Sequence, residues 1–203
     1  MTQPKEQTSK LDRALPYLFV ILSIVGLYAS YIIMLDKVKL LENPHFIPGC
    51  SLNPVLSCGS IMKSKQAAAF GFPNPFIGLA AFGSLITIGM AMFAGATFKR
   101  WFWLGLEAGA IFGIGFVHFL FFQSVYRIGA LCIYCMMVWV VTITLFIYVT
   151  LYNLRHGHIA TPQPLKGVVS FLQRHHIDLL VMWLLIITAL ILHRFWYFFG
   201  PRL

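Results

Sequence analysis

The chain has 203 residues, of which 59% are hydrophobic and only 10% charged. Because soluble domains carry about 25% charged residues, this composition excludes an ordinary water-soluble protein and indicates a chain solvated mostly by lipid. The net charge of +9 does not indicate a nucleic-acid partner, since the basic residues are scattered over termini and loops, where they anchor spans against anionic headgroups.

Five apolar segments are long enough to cross a hydrocarbon layer of about 30 Å. They are residues 15–35, 75–96, 101–126, 128–151 and 177–199. The polar residues 1–14 predict a cytoplasmic tail, and no cleavable signal is evident because the apolar run after them is too long. We therefore predict an all-α, multi-pass integral membrane protein.

The polar connection at 36–74 holds two cysteines, Cys50 and Cys58. The Asn53-Pro54 pair between them favours a turn that could bring the two sulfurs together. A bridge there would close a tight loop and stabilise it by about 2–3 kcal/mol on the chain-entropy account. The following segment, 60–70, has a helical composition, and Gly71 follows as a stop.

The other two cysteines, Cys132 and Cys135, stand at the start of the fourth span. We predict that this helix begins near Ile128, with both sulfurs on one face and Cys135 about one turn deeper. The partial positive charge of a helix N-terminus favours the thiolate, which is the form that attacks disulfides. The spacing indicates a redox dithiol, although zinc knuckles and structural disulfides share it.

Other ionisable residues give weaker indications. Glu107 and His118 lie within the third span, where such groups are functional candidates, but hydrogen bonding across the bundle is the simpler interpretation. Four histidines near the fifth span could bind a metal, although a solvated loop is simpler. They are His156, His158, His175 and His176.

The number of spans decides which cysteines can meet. After the first span the chain is on one side of the membrane, and two further spans return it to that side. The 36–74 connection and the start of the fourth span therefore share a face. Disulfide chemistry belongs on the oxidising side, so we predict a cytoplasmic N-terminus and extracytoplasmic cysteines in the cell membrane. The basic residues barely discriminate, with eight on the inner segments and seven on the outer.

Four motifs follow one another along the chain. They are CSLNPVLSC at 50–58, Ser64, FPNPFIG at 72–78, and CIYC at 132–135. With these residues the segment 15–151 resembles a bacterial member of the vitamin K epoxide reductase family, in its stand-alone five-span form. The resemblance implies a four-helix bundle around a quinone site, with a fifth transmembrane helix beside it.

The resemblance also implies roles for the cysteines. Cys132 and Cys135 match the active-site pair, with Cys135 next to the quinone. Cys50 and Cys58 match the loop pair that shuttles electrons.

Three further residues are implied at the quinone. Ser64 and Asn74 match the family's loop serine and the asparagine that lines the ring site. Trp139 stands where vertebrate members have a tyrosine that contacts the quinone. This departure bears on vitamin K epoxide activity and leaves the thiol chemistry untouched.

On this basis we predict a membrane thiol oxidase that makes disulfides for secreted proteins. Its donor would be an extracytoplasmic thioredoxin-fold dithiol protein, because the fused thioredoxin-like domain of many members is missing here. Its acceptor would be menaquinone or ubiquinone. Reduction of vitamin K epoxide is an alternative, and a metal-binding membrane protein with a four-cysteine thiolate site is an alternative from another class. A transporter with purely structural disulfides is a further one.

We divide the chain into four parts. These are a cytoplasmic tail at 1–14, the four-helix catalytic domain at 15–152, a cytoplasmic connection at 153–176, and the fifth helix with a short tail at 177–203.

Overall fold

The structure, a computed structural model, describes residues 10–160, 162 and 166–200. The predicted residues 1–9 of the tail, 161 and 163–165 of the connection, and 201–203 lie outside this part. The α-helices are α1 (Lys10–Glu42), α2 (Cys58–Lys63), α3 (Pro75–Phe93), α4 (Arg100–Phe122), α5 (Ile133–Arg155), α6 (Lys166–Arg174), α7 (His176–Arg194) and α8 (Trp196–Phe199).

Five of the described helices are long and apolar enough to cross a membrane, namely α1, α3, α4, α5 and α7. This confirms the predicted all-α membrane fold. α1 packs along both α3 and α5, and α5 also packs along α4. These four helices surround the apolar core, and α7 lies outside them against α5.

The first helix is longer than its apolar segment. α1 begins at Lys10 and ends at Glu42, whereas hydropathy predicted a span at 15–35. Hydropathy identifies only the residues that cross the membrane. The charged residues on either side of the apolar segment are good helix formers, so the helix continues through them. Pro44 ends it, because the residue before a proline is pushed out of the helical region.

Glycines let α1 and α3 approach closely. A Cβ atom on Gly26 would lie 2.7 Å from the Phe82 ring, and one on Gly78 would overlap the Ser30 side chain. A Cβ on Gly89 would lie 3.0 Å from the Phe19 Cβ and 3.1 Å from the Pro16 carbonyl oxygen. The hydrophobic effect does not drive helices together inside lipid, so close packing at small residues stabilises such crossings.

Gly89→Ala should therefore destabilise the fold, whereas Gly83→Ala on the same helix should not. The contacts at Gly89 include rigid backbone, so overpacking by about 1–3 kcal/mol exceeds the helix-propensity gain of about 0.5–1 kcal/mol. A Cβ on Gly83 meets nothing within 4 Å, which leaves only the gain. Thermal unfolding in detergent measures both, and a Gly89→Ala variant at least as stable as the parent would contradict the close crossing.

The start of the fourth span differs from the prediction. α5 begins at Ile133, not near Ile128, and Cys132 is its N-cap with extended backbone angles. Residues 123–128 instead continue α4 as a π-helical turn, which Gly129 ends in the left-handed conformation at φ 72°. Cys132 therefore lies at the mouth of the helix and not inside it.

The ionisable residues of the third span make hydrogen bonds across the bundle. Glu107 is buried and accepts from Thr150 Oγ1 at 2.7 Å and from Asn153 Nδ2 at 2.8 Å, which ties α4 to α5. His118 Nε2 accepts from Trp183 Nε1 at 3.1 Å, which ties α4 to α7. Both follow the simpler interpretation.

The four histidines near the fifth span do not gather into one site. His156 pairs with Asp12 at 2.8 Å and His158 with Asn153 at 3.0 Å. His175 and His176 each bond their own turn, to Asp178 and to the Gln173 carbonyl oxygen.

Candidate redox site

Two short segments carry the cysteines and are joined by backbone hydrogen bonds. The Leu131 N–H donates to the Val55 carbonyl at 2.7 Å, and the Ser57 N–H donates to the Leu131 carbonyl at 2.9 Å. Together they form a parallel bridge between Leu56 and Leu131. Since a cysteine follows each bridged segment directly, the bridge sets Cys58 and Cys132 side by side.

The sulfur atoms of the two pairs come into contact. Cys50 and Cys58 form a disulfide, and Cys132 and Cys135 are free thiols. The Cys58 and Cys132 Sγ atoms are 3.1 Å apart. The structure thus brings together the two pairs that the count of spans places on one face, and it identifies the sulfur in each pair that meets the other.

The loop that carries Cys58 is shaped by its own polar side chains. Asn53 Oδ1 accepts from the N–H groups of Val55 at 3.0 Å and Leu56 at 2.7 Å, which makes the predicted turn. Ser57 is the N-cap of α2, its Oγ accepting from the Ser60 N–H at 3.4 Å. Cys58 is therefore the first residue of a capped helix.

The segment before Cys132 is fixed in a similar way. The Ser124 carbonyl accepts from the N–H groups of Gly129 at 2.9 Å and Ala130 at 3.2 Å, and its Oγ donates back to the Ala130 carbonyl. This clamp reverses the chain at the end of the π-helical turn and presents Leu131 to the loop. The connection from α4 to α5 is therefore a π-helical end followed by a left-handed glycine.

The position of Cys132 at the N-cap favours its thiolate. Its pKa lies below the usual thiol value chiefly because the Cys135 thiol donates a hydrogen bond to it, and burial opposes this. The N–H groups of Tyr134 and Cys135 lower the pKa further, although they do not close a full hydrogen-bonded cap. The Asp36 carboxylate acts against these groups and raises it.

Removal of the Cys135 thiol should shift the reactivity of Cys132 to higher pH. In Cys135→Ala, the Cys132 thiolate can attack Cys58 and release the Cys50 thiol. The rate is measured by quenching with acid at intervals and then alkylating the Cys50 thiol in denaturant. The hydrogen bond from Cys135 lowers the pKa of Cys132 from its ordinary value in the parent, and this effect is lost with the thiol. We expect the midpoint of the rate–pH curve in Cys135→Ala to lie higher than in Cys135→Ser, which keeps a donor.

Asp36→Asn provides the opposite control. With the carboxylate gone, the pKa of Cys132 should fall and the midpoint should move to lower pH. A midpoint that neither substitution shifts would show that neither group acts on the pKa of Cys132.

An apolar cavity of about 380 Å³ adjoins the inner cysteine pair. It lies among α1, α3, α4 and α5, and Cys132 and Cys135 both line it. Ser64, Asn74 and Trp139, the residues predicted at the ring site, line it as well. Its size is typical of small-molecule sites, and carbon atoms dominate its wall.

The part of the chain that carries the cysteine pairs matches the model of a known protein family. The model of the vitamin K epoxide reductase family covers residues 17–150. The chain belongs to the vitamin K epoxide reductase family. It is therefore a membrane redox enzyme of the vitamin K epoxide reductase type. No curated protein matches the chain at a significant level.

The polar side chains at this vitamin K epoxide reductase-type cavity are partly engaged. Ser64 Oγ donates to the Ile61 carbonyl at 2.7 Å, which uses its one hydrogen. Asn74 Nδ2 donates to the Gln66 carbonyl at 2.8 Å and its Oδ1 accepts from the Ala69 N–H at 3.0 Å. One Asn74 N–H is left over, so Asn74 can donate to a ligand without breaking these bonds.

Sequence reasoning missed several features of the site. The predicted helix at 60–70 is split at Ser64 into α2 and a 3₁₀ turn, Lys65–Ala68, which turns Ser64 and Gln66 to the cavity. Gln123 also lines the cavity, from the π-helical turn. Only the break in α-helical geometry after Phe122 places it there, and nothing in the sequence marks that break.

The cysteines do not assemble the four-thiolate metal site of the alternative hypothesis. Among the described residues, the one group with metal-ligand spacing is Cys50, Cys58 and Cys132, whose sulfurs lie within 4.8 Å of one another. Two of these are joined in a disulfide, and Cys135 is not part of the group. A disulfide supplies no thiolate, so this redox state favours exchange over coordination.

Proposed function

We propose that the chain is a thiol oxidase that carries electrons from an extracytoplasmic dithiol protein to a membrane quinone, and so makes disulfides for secreted proteins. The observation that carries this proposal is the 3.1 Å contact between the sulfurs of Cys58 and Cys132 beside an apolar cavity. One disulfide, one dithiol and a lipid-side pocket are the parts that such a relay needs.

The first exchange takes place at Cys50. Cys50 is 6% exposed whereas Cys58 is fully buried, so a partner thiolate reaches Cys50 first. It forms a mixed disulfide with Cys50 and displaces the Cys58 thiolate. The partner's second thiol then resolves the mixed disulfide, which leaves the partner oxidised and Cys50 and Cys58 reduced.

The second exchange transfers two electrons to the inner pair. The Cys58 thiolate attacks Cys132 in the Cys132–Cys135 disulfide, and Cys135 leaves as a thiolate. Cys50 then attacks Cys58, restores the loop disulfide and releases Cys132. The described redox state, with the loop pair oxidised and the inner pair reduced, is the product of this step.

The cavity suits an apolar acceptor with a flat ring. Menaquinone or ubiquinone, when bound, takes two electrons and two protons, and Cys132 and Cys135 close to a disulfide. Asn74 has an N–H left to hold a ring carbonyl, and Trp139, buried against Phe121, offers a ring wall. The Ser64 hydroxyl can accept a hydrogen bond in the cavity, but it can donate one only if it releases the Ile61 carbonyl.

Quinone reduction by the purified protein tests the proposal. With a thioredoxin-fold dithiol protein as donor, the parent should bleach menaquinone or ubiquinone absorbance, and Cys58→Ser and Cys135→Ser should fall to background because each breaks the relay. Gly83→Ala serves as the control that keeps the parent rate. Undiminished turnover in Cys58→Ser would overturn the loop pair's role, and reduction of vitamin K epoxide at a comparable rate would favour the alternative substrate.

Thiol labelling in intact cells tests the orientation. Cys50 is the more exposed loop cysteine, so after mild reduction a membrane-impermeant maleimide added outside should modify it. A Cys50→Ser variant controls for the other sulfurs. Labelling that requires broken cells would place the loop in the cytoplasm and contradict the assigned compartment.

A further inference from the structure

The end of the fifth span departs from the rest of that helix. No residue in the most apolar stretch of α7 is buried within the protein, as befits a helix that faces lipid. Phe195, the residue directly after α7, is 0% exposed. It is among the largest fully buried side chains of the described residues.

Phe195 is buried in one cluster with residues of the two cysteine-bearing segments. It belongs to one hydrophobic cluster with Val55 of the loop and Leu131 before α5, the two residues joined by the shortest bond of the bridge. Trp139 of the cavity wall and Val125 of the π-helical turn are in the same cluster. Ile187 and Ile191 of α7 pack against it.

The backbone at this point turns Phe195 inward. α7 stops at Arg194, and Phe195 takes non-helical angles before α8 begins. The Arg194 guanidinium lies 6.0 Å from the centre of the Phe195 ring. The next residue, Trp196, is 60% exposed, so the burial is specific to the one side chain at the break.

We propose that Phe195 is a positioning residue for the exchange between Cys58 and Cys132. This inference rests on the proposed function and assigns the fifth span a part in it. Phe195 shares a hydrophobic cluster with Val55 and Leu131, whereas Cys58 and Cys132 belong to another cluster. The ring acts through the bridge between Val55 and Leu131, which fixes the distance between the two sulfurs.

The support matters because each bridged segment is short. Two backbone hydrogen bonds join the segments, and a void under Val55 and Leu131 would let one shift against the other. Exchange needs a sulfur aligned with the bond that breaks, so a displacement of about 1 Å costs up to about a hundredfold in effective molarity. The Cys50 and Cys58 side chains lie in a different cluster, with Leu40 and Met62, and the turn between them is closed by the hydrogen bonds of Asn53 within the loop.

Two disulfide equilibria measured in the same protein test this inference. In Cys50→Ser/Cys135→Ser only Cys58 and Cys132 remain, and their oxidation in glutathione buffers gives the effective molarity of that pair. In Cys132→Ser/Cys135→Ser the same titration reports on Cys50 and Cys58. Neither measurement uses quinone or a partner, so failure of the proposed function would not be mistaken for failure of this inference.

We expect Phe195→Ala to lower the effective molarity of Cys58 and Cys132 by about ten- to a hundredfold. The Cys50–Cys58 equilibrium should stay within about twofold, because both sulfurs move with one loop whose turn is held by its own Asn53 hydrogen bonds. Phe195→Leu should recover most of the loss, since it fills much of the void. Phe198→Ala, at a residue that is 41% exposed, is the matched control and should change neither equilibrium.

The comparison also separates positioning from general stability. Equal losses in both equilibria would mean that Phe195 only supports the fold, and no loss in either would mean that the bridge holds without it; each result overturns the inference. If Phe195→Ala does not fold, the smaller loss expected of Phe195→Leu carries the test: a loss confined to Cys58 and Cys132 supports the inference, and no loss or an equal loss in both equilibria overturns it.

Discussion

The redox centre depends on the backbone bridge between Val55–Ser57 and Leu131. Two hydrogen bonds form this bridge, and they align the loop at 50–58 with the residue that precedes Cys132. Because a cysteine follows each bridged segment, the register sets Cys58 and Cys132 at 3.1 Å. A slip of one residue would turn either sulfur away from the other, since side chains alternate along extended backbone.

The contact between the two sulfurs is shielded from water. Cys58 and Cys132 are buried, and the cavity beside them is lined mostly by carbon. Thiolates there need local hydrogen-bond donors in place of water, and the N-cap position with the Cys135 thiol supplies them to Cys132. Cys50 is the more exposed sulfur of the loop pair, while Cys132 and Cys135 line the apolar cavity. The four sulfurs thus lead from the loop to the cavity in the order in which electrons would move.

The fifth span joins this centre at two levels. Trp183 donates to His118 between α7 and α4, and Phe195 joins the cluster that includes Val55 and Leu131 of the bridge. His118 and Glu107, two ionisable residues inside the membrane, both have hydrogen-bond partners that join helices. In a bilayer, where lipid competes for apolar contacts, such bonds and close glycine crossings do much of the assembly.

The sequence by itself determined the five spans, the shared face of the cysteine pairs and a few of the residues around the cavity. Hydropathy locates the membrane spans, and the number of spans places both cysteine pairs on one face. The motif residues Ser64, Asn74 and Trp139 line one cavity. Only the tertiary structure decided that α5 starts at Ile133, that Leu56 pairs with Leu131, and that Phe195 is buried. These depend on pairing between segments far apart in the chain. Local composition carries no record of such pairing: an apolar run looks the same whether its first residues are helical or bridged to a loop.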